Sequence, residues 1–266
     1  MTSPENIYTP YSTIRDLLPQ APSWPPTTVD QERVLSYELY EKIYWAVPTV
    51  FRLSMRGTED KPIYVPSGRT IVETTHRYLC PDFSVTTIDR LGSSPTESVR
   101  AAQIALDDFF NREQFLSKFN GAKRFSLIQG DWIWHITADP NKPLGSRLSI
   151  QALDPSMYWP VTAEDDINKI IAVHLVELVD REGASRIHRQ TYKKVPQSDG
   201  TNRITVSEGI FETDKWFELD SIPVEPWIRQ EEQLPDSIMT IPVYHIKNFD
   251  EPGNPFGSSE LRGLER

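Results

Sequence analysis

The fold is decided at residues 127–136, whose sequence is LIQGDWIWHI. Up to Gly130 the apolar residues recur at helical spacing, as they do along the buried side of a helix. After Gly130 they alternate with other residues, so that Trp132, Trp134 and Ile136 lie on one side of an extended chain. The pattern therefore predicts that a helix ends at this glycine and that a strand begins directly after it.

Upstream of this corner the sequence gives its best helical signal, from about Pro95 to Asn120. Its broad apolar stripe consists of Val99, Ala102, Leu106, Phe109, Phe110, Leu116 and Phe119. The pair Asn120-Gly121 could end this helix. Alternatively the helix resumes and stops at Gly130, because apolar residues keep the helical period at Ala122 and Ile128. We favour the second interpretation.

Two shorter helices are predicted nearer the N-terminus. The first begins at Thr28, which is spaced from Gln31 as in a capping box, and ends before Pro48. The second extends over residues 71–79. Short strands are predicted at Ile63–Val65 and Ser84–Ile88.

Downstream of the corner the sequence predicts a series of strands separated by turns. The predicted strands are Trp132–Ile136, Leu148–Ala152, Ile170–Val179, Arg186–Lys194, Ile204–Phe211 and Ile241–Ile246. The segments between them are rich in Asp, Pro, Gly and Asn, which favour turns. N-terminal helices followed by an antiparallel β-rich meander predict the α+β fold class.

Three parts of the chain are distinguished by composition. Residues 1–27 hold six of the 22 prolines, and because proline fixes φ and lacks an N–H group we predict an extended arm there. This arm is either mobile or lies along a neighbouring surface. Residues 28–247 are predicted to form the α+β domain. Residues 248–266 are predicted to be a loop and the start of a helix capped by Ser258 or Ser259.

The composition limits the classes of function. There are 28 Lys and Arg residues against 38 Asp and Glu, a formal net charge of −10, and 38% of the residues are hydrophobic. These values describe a globular chain and argue against a protein that holds DNA or RNA through its phosphates, which requires clustered basic residues. The longest uncharged apolar run, Ile170–Val176, is far shorter than the about 20 residues of a transmembrane helix. The single cysteine, Cys80, excludes an internal disulfide bond.

No catalytic motif is found in the sequence. It contains no G-x-S-x-G nucleophile elbow, no phosphate-binding P-loop and no G-x-G-x-x-G dinucleotide motif. The five histidines are His76, His135, His174, His188 and His245. Because they are scattered singly, we predict hydrogen-bonded core or surface residues rather than metal ligands. We assign no catalytic, cofactor-binding or metal-binding residue and no cofactor.

Two further groups of residues have the chemistry to carry a function. The carboxylates of Glu164-Asp165-Asp166 suit acid/base chemistry or Ca²⁺, although adjacent acids in a turn are more often solvated. Trp132 and Trp134 have apolar neighbours, which predicts a core or subunit contact rather than stacking on single-stranded bases. Asp131 is predicted to be structural, with its side chain bound to the amides of the turn.

Four blocks of the sequence support a family assignment when they are taken in order. They are the helix containing Tyr37, Leu39, Tyr40 and Tyr44, the segment Phe115–Ile136, the strand and turn from Ile150 through Asp154-Pro155-Ser156 to Val161, and the strand Ile241–Asn248 followed by Pro255–Leu261. Across about residues 30–266 these blocks resemble the N-terminal half of a portal protein of tailed bacteriophages. The stem, clip and crown of that family would lie mostly beyond Arg266, where the last predicted helix has only begun. The chain thus resembles the outer wing, and we expect it to be the N-terminal part of a longer protein.

The resemblance implies a structural subunit, not an enzyme, of the portal ring through which double-stranded DNA is packaged into the capsid and ejected from it. The ring is dodecameric in this family. The implied partners are other copies of the chain, the major capsid protein and scaffold, the terminase large subunit and the head–tail connector. DNA would pass without specific binding, as suits an acidic protein, and no membrane is involved. The implied location is the portal vertex of the virion, after assembly in the host cytoplasm.

Two other functions remain open from the sequence alone. A metal-dependent or acid/base hydrolase would use Glu164, Asp165 and Asp166 with a distant histidine, and it predicts that these carboxylates line a pocket. A monomeric β-rich binding module predicts that Trp132 and Trp134 are buried entirely within one chain.

Overall fold

The computed structural model describes residues 28–47, 67–79 and 97–264, apart from positions 140, 144, 182, 199, 251 and 252. Within these residues the helices come first: α1 (Thr28–Tyr44), α2 (Ser67–Tyr78), α3 (Glu97–Arg112) and α4 (Phe115–Gln129). The strands follow: β1 (Asp131–Ala138), β2 (Leu148–Leu153), β3 (Tyr158–Ala163), β4 (Asp166–Arg181), β5 (Ala184–Pro196), β6 (Asn202–Phe211), β7 (Arg229–Gln233) and β8 (Val243–Lys247). The predicted α+β class, with helices N-terminal to antiparallel strands, is confirmed.

The strands form two antiparallel sheets. Strands β3 to β7 follow one another in the larger sheet, which confirms the predicted meander, whereas the smaller sheet has the order β2-β1-β8. The sequence did not predict that β8 returns to β1, where Trp134 lies opposite Tyr244 on one side and Ala152 on the other. It also did not predict β3 or β7, because Pro160 interrupts the first and the second is wholly polar.

The smaller sheet lies between α4 and the larger sheet. On one side, α4 stacks Phe115 on Trp134 of β1, with ring centroids 5.3 Å apart. On the other side, Nε2 of His135 lies 2.8 Å from the hydroxyl oxygen of Tyr192 on β5 and so links the two sheets. The core between the sheets includes Ile133, Tyr158, Val173, Leu175, Tyr192, Ile204, Val206 and Val243. Both sides of β1 are therefore covered.

The long helix predicted upstream of the corner is interrupted. Helices α3 and α4 are separated at Gln114, whose φ of +51° is left-handed. Next to this break, Oε2 of Glu113 accepts a hydrogen bond of 3.2 Å from the N–H of Ile150, and Nζ of Lys118 donates to its carbonyl oxygen at 2.7 Å. The break thus brings two charged side chains to the free edge of β2, and no glycine or proline marks it in the sequence. After the break the helix runs on to Gly130, which confirms the second interpretation.

The end of the chain differs from the prediction. Residues 260–264 form successive turns, so the helix predicted from Ser258 or Ser259 is wrong within the described residues. The hydroxyl of Ser259 donates to carbonyl groups at the end of α4, which ties it to that helix. Gly263 has a left-handed φ of +95°, so the chain does not continue along a right-handed helical path.

Some predictions fall outside the described residues and stay predictions. These are the arm at residues 1–27, the strands Ile63–Val65 and Ser84–Ile88, and the side-chain contacts of the capping box at Thr28. The division of the chain into an arm, a domain and a C-terminal segment also stays a prediction. In the part of the chain that is described, none of the helices is long and apolar enough to cross a membrane.

Candidate functional site

Asp131, the first residue of β1, is completely buried and binds three other segments of the chain. Its Oδ2 accepts a hydrogen bond of 2.5 Å from the hydroxyl of Tyr37 on α1. Its Oδ1 accepts one of 2.7 Å from the backbone N–H of Gly257 and lies 2.5 Å from Nε2 of His245 on β8. A buried carboxylate is stable only when such partners replace water. We call these four residues the Asp131 junction.

Asp131 has the structural role that the sequence predicted, but its hydrogen-bond partners differ from the predicted ones. The sequence suggested the amides of its own turn, whereas the amide that it binds, that of Gly257, lies 126 residues later in the chain. The N–H of Gly130, in the turn itself, instead donates to the carbonyl oxygen of Ser126 at 2.8 Å. The carboxylate therefore joins distant segments rather than closing a local turn.

The tyrosines at and beside the junction keep their protons at neutral pH. Burial, and then the negative charge of Asp131, raise the pKa of Tyr37 well above its usual value. Burial also raises the pKa of Tyr158, whose ring centroid lies 5.0 Å from that of His245. The side chain of His245 pairs with Asp131 and packs against two aromatic rings, and among the described residues no nucleophile is seen hydrogen-bonded to this acid–histidine pair through the histidine.

The loop that follows β8, the C-terminal loop, covers the end of α4. The backbone N–H of Asn248 donates to the carbonyl oxygen of Gly130 at 2.8 Å, and that of Glu260 donates to Leu127 at 3.0 Å. These bonds satisfy carbonyl groups that a helix leaves free at its C-terminus. The loop thus takes the place of solvent at this helix end.

Two glycines make this close approach possible. Gly130 has a φ of +95°, and a Cβ atom there would lie 2.7 Å from the backbone carbon of Ser258. A Cβ atom on Gly257 would overlap the carbonyl oxygen of Gly130. Only residues without a side chain fit where the two backbones meet.

Arg33 on α1 is buried beside the junction. Its guanidinium carbon lies 4.6 Å from the ring centroid of Trp159 and 4.2 Å from that of Phe256. Its Nη1 donates to the carbonyl oxygen of Pro155 at 3.2 Å, and Oδ1 of Asp30 lies 3.5 Å from Nη2. Arg33 therefore connects α1, β3 and the C-terminal loop, and no feature of the sequence had singled it out.

The four sequence blocks that carry the family resemblance meet at this site. Tyr37 belongs to the first block, Asp131 to the second and Gly257 to the fourth, and all three are hydrogen-bonded together. The carbonyl oxygen of Pro155, in the third block, accepts a hydrogen bond from Arg33, which lies on the helix of the first block. Residues that are far apart in the sequence thus build one joint in the fold.

The described surface includes the following two pockets. The first, of about 280 Å³, opens next to the junction, and its wall includes Arg33, Gln129, Phe256, Ser258 and Arg262. The second, of about 220 Å³, lies between β5, β6 and the loop that follows β6, and Thr191, Thr205 and Ser207 give it a wall of hydroxyl groups. Only the first pocket adjoins the buried charges described above.

The predicted carboxylate cluster lines neither of these pockets. Glu164 and Asp165 form the turn between β3 and β4, Asp166 begins β4, and all three are exposed. Oδ1 of Asp166 accepts a hydrogen bond of 2.8 Å from the N–H of Asn168, as is usual for an aspartate in a turn. The hydrolase alternative stays a prediction, and the pocket geometry gives it no support.

The five histidines have different surroundings in the fold. Burial, and then the positive charge of Arg189, lower the pKa of His174 to about 3. Burial lowers the pKa of His135 to about 4. Nε2 of His76 lies within hydrogen-bond distance of the backbone carbonyl oxygen of Asn120. Nε2 of His188 pairs with the carboxylate of Glu208, and that of His245 pairs with the carboxylate of Asp131. Among the described residues no group of three or more His, Cys, Asp or Glu side chains is placed to hold a metal ion.

The predicted apolar stripe is divided unequally between the two helices that carry it. The α4 part packs on β1, where Trp134 is buried and Trp132 partly buried. Helix α3, in contrast, has no buried residue, and Ile104 at its centre is 62% exposed. The sequence predicted a core or subunit contact for Trp132 and Trp134, and for Trp134 the structure shows a core contact. The binding-module alternative stays a prediction.

Protein-family models give no match to this sequence. A search of curated proteins gives no significant match either. Function is therefore inferred from the Asp131 junction, the pocket beside it and the exposed face of α3.

Proposed function

We propose that this chain is a structural subunit of the portal ring of tailed bacteriophages, and not an enzyme. Its copies would form the conduit for double-stranded DNA at the portal vertex of the virion, where the ring docks capsid proteins, terminase and the head–tail connector. The observation that carries this proposal is the meeting of the four resemblance blocks at one site.

The Asp131 junction supports a structural role because its polar groups hold segments together. Tyr37, His245 and the N–H of Gly257 come from three segments, and all are directed at the same carboxylate. A fully satisfied buried network of this kind fixes one arrangement of the elements that it joins. The junction therefore suits a rigid subunit that must present the same surfaces in every copy.

The exposed face of α3 supports contact between copies. A closed ring of identical chains uses two different surfaces of each chain. Ile104 on α3 is 62% exposed and Leu116 at the start of α4 is 56% exposed. Exposed large apolar side chains of this kind are available for packing against another protein. The net charge of −10 also supports a conduit, since an acidic wall does not retain DNA through its phosphates.

The assembly state of the protein, expressed from its complete reading frame, tests this proposal. Negative-stain electron microscopy and sedimentation velocity are expected to show closed rings of many copies. Compact monomers at high protein concentration would contradict the proposal.

Two matched variants locate the contact between copies. Ile104→Asp puts a charge on the exposed face of α3 and is expected to prevent ring closure while the circular dichroism spectrum is unchanged. Ile222→Asp, in the loop between β6 and β7, alters a position that is 84% exposed and is expected to leave the rings intact. Rings formed equally well by both variants would exclude α3 from the contact.

A further inference from the structure

The second pocket, between β5, β6 and the loop that follows β6, lies on the outer face of the larger sheet, and we call it the outer-face pocket. Tyr192 of β5 and Val206 of β6 belong to the core between the two sheets. Side chains alternate along a strand, so their neighbours point to the opposite face. These neighbours form the floor of the pocket and are Thr191, Lys193, Thr205 and Ser207. The loop and β7 supply the rest of its wall, which is Leu219, Asp220, Ser221, Ile222, Trp227, Gln230 and Glu231.

The loop that walls the outer-face pocket is anchored to the sheet on both sides of its pocket residues, 219–222. Before them, Nη1 of the buried Arg189 on β5 donates to the carbonyl oxygen of Glu218 at 2.8 Å. After them, the backbone N–H of Val224 donates to the carbonyl oxygen of Ile210 on β6, also at 2.8 Å. The pocket is therefore pre-formed, and a ligand does not have to order the loop when it binds.

Several polar side chains of the wall are open to solvent and are not used inside the protein. Lys193, Asp220 and Gln230 are exposed, and Ser207 and Ser221 are half-buried. Within the described part of the chain, the side chains of these five residues form no hydrogen bond or ion pair. They comprise an ammonium group, a carboxylate, an amide and two hydroxyls, which together both donate and accept hydrogen bonds. A ligand in the pocket can therefore reach free groups of both kinds.

The charges in this wall favour a neutral ligand that carries hydroxyl groups. Lys193 repels a cation, whereas Asp220 and Glu231 repel an anion. A hydroxyl group suits all three residues, because it donates to a carboxylate and accepts from an ammonium group. Trp227, which is half-buried, and Leu219 add apolar surface to the same wall. The C–H groups on one face of a sugar ring pack on an aromatic surface of this kind.

We propose that the outer-face pocket binds one ring of a carbohydrate, with Trp227 against a face of the ring and with Lys193 and Asp220 hydrogen-bonded to its hydroxyl groups. Pockets for drug-sized ligands measure roughly 300–1,000 Å³, so the volume of about 220 Å³ suits a single sugar ring. The hydroxyl of Thr205 donates to Oε1 of Glu231 at 3.0 Å and so orients this carboxylate beside the pocket. The site goes beyond the proposed function and does not depend on ring assembly.

Saturation-transfer difference NMR of the full chain with D-glucose, D-galactose, D-mannose and N-acetyl-D-glucosamine tests the site. The method observes the sugar, so it works for a monomer and for a large assembly alike. At least one sugar is expected to give a signal that saturates with a Kd of about 1–10 mM, as suits a ligand of this size. Asp220→Ala is expected to weaken binding about tenfold, as the loss of a charge-assisted hydrogen bond does. Asp214→Ala, at an exposed aspartate of the same loop that lies outside the wall, is the matched control and is expected to leave the Kd unchanged.

A third variant and a second ligand separate the outcomes. Trp227→Ala removes the apolar surface and is expected to abolish saturable binding while the circular dichroism spectrum is unchanged. Trp227 also packs on Phe211, with ring centroids 5.9 Å apart, so if this variant does not fold, the comparison of Asp220→Ala with Asp214→Ala decides. Equal Kd values for those two variants, or no saturation by about 100 mM of any of the four sugars, overturn the proposal. An equal response to glycerol overturns the assignment to a sugar ring. Because the measurement is independent of assembly, failure of the ring proposal leaves this result intact.

Discussion

Helices α3 and α4 follow one another in the chain and continue one apolar stripe, yet they are built into the molecule in opposite ways. Helix α4 buries eight of its 15 residues, whereas α3 buries none of its 16. The difference lies in what each helix meets, because α4 packs on β1 and is covered at its end by the C-terminal loop. The comparison teaches that apolar periodicity defines a face to be covered but not what covers it.

The polar residues at the two helices differ in burial in the same way as the apolar ones. The end of α4 adjoins the Asp131 junction, where a carboxylate is buried and bound by three segments. On α3 the hydrogen bond from Gln103 to Asp107 is exposed, and such contacts contribute little to stability. We infer that folding free energy is concentrated around the end of α4, whereas α3 adds little to it through burial within the described residues.

The largest expected loss of stability follows from Asp131→Ala. The substitution leaves the hydroxyl of Tyr37, the ring of His245 and the N–H of Gly257 without their buried acceptor. Breaking such a buried network costs about 3–5 kcal/mol of unfolding free energy, which urea denaturation followed by circular dichroism measures. Asp180→Ala, at an exposed aspartate on β4, is the control and is expected to change it by less than about 0.5 kcal/mol. Equal effects of the two substitutions would contradict the special role of the junction.

A smaller loss, dependent on pH, is expected from Glu41 on α1, next to the junction. Burial, and then Asp154, raise its pKa from 4.5 to about 8 in the folded chain, where Glu38 is a further acidic neighbour. The folded state therefore keeps a proton that the unfolded state releases, and stability falls as the pH rises through this range. Glu41→Gln cannot ionise, so its unfolding free energy relative to that of the wild type is expected to rise by about 3 kcal/mol between about pH 5 and pH 8.

The acidic side of the pH profile provides the control for this variant. The pKa values of His135 and His174 are lowered by burial, to about 4 and about 3, so the unfolded state binds protons below about pH 6.5 that the folded state does not. Stability is therefore expected to fall on acidification in the wild type and in Glu41→Gln alike. A loss of stability between about pH 7 and pH 8 that is as large in the variant as in the wild type would assign the alkaline loss to another group.

The corner between α4 and β1 was predictable because its signal is local. The period of the apolar residues changes within the ten residues around Gly130, and the strands of the larger sheet follow one another along the chain. The interruption at Gln114 was not predictable, since it is tied to hydrogen bonds with Ile150 in a later strand. The return of β8 to β1 likewise depends on a pairing between distant segments.

The site was less predictable than the fold for the same reason. Asp131 was noticed as an acid at a corner, but Tyr37 lies 94 residues before it and His245 lies 114 residues after it. Arg33 and Gln129 carry no sequence signal, because polar residues on an amphipathic helix usually face solvent. Their burial follows from the docking of the C-terminal loop and of β3, which a local pattern does not encode.

The smallest effect on stability is expected for Ile104→Ala on α3, and it is most informative beside Ile133→Ala on β1. Ile104 is 62% exposed and alanine favours a helix, so unfolding free energy is expected to change by less than about 0.5 kcal/mol. Ile133 is 1% exposed, and its truncation is expected to cost about 2–5 kcal/mol in the same urea measurement. Both substitutions remove the same atoms. A larger loss of stability for Ile133→Ala therefore shows that Ile133 is buried by its own chain. A loss of assembly seen only with Ile104→Ala would show that Ile104 is buried by a neighbouring copy. Equal destabilisation by the two would mean that α3 is covered by its own chain, and its face would then not be left for another copy.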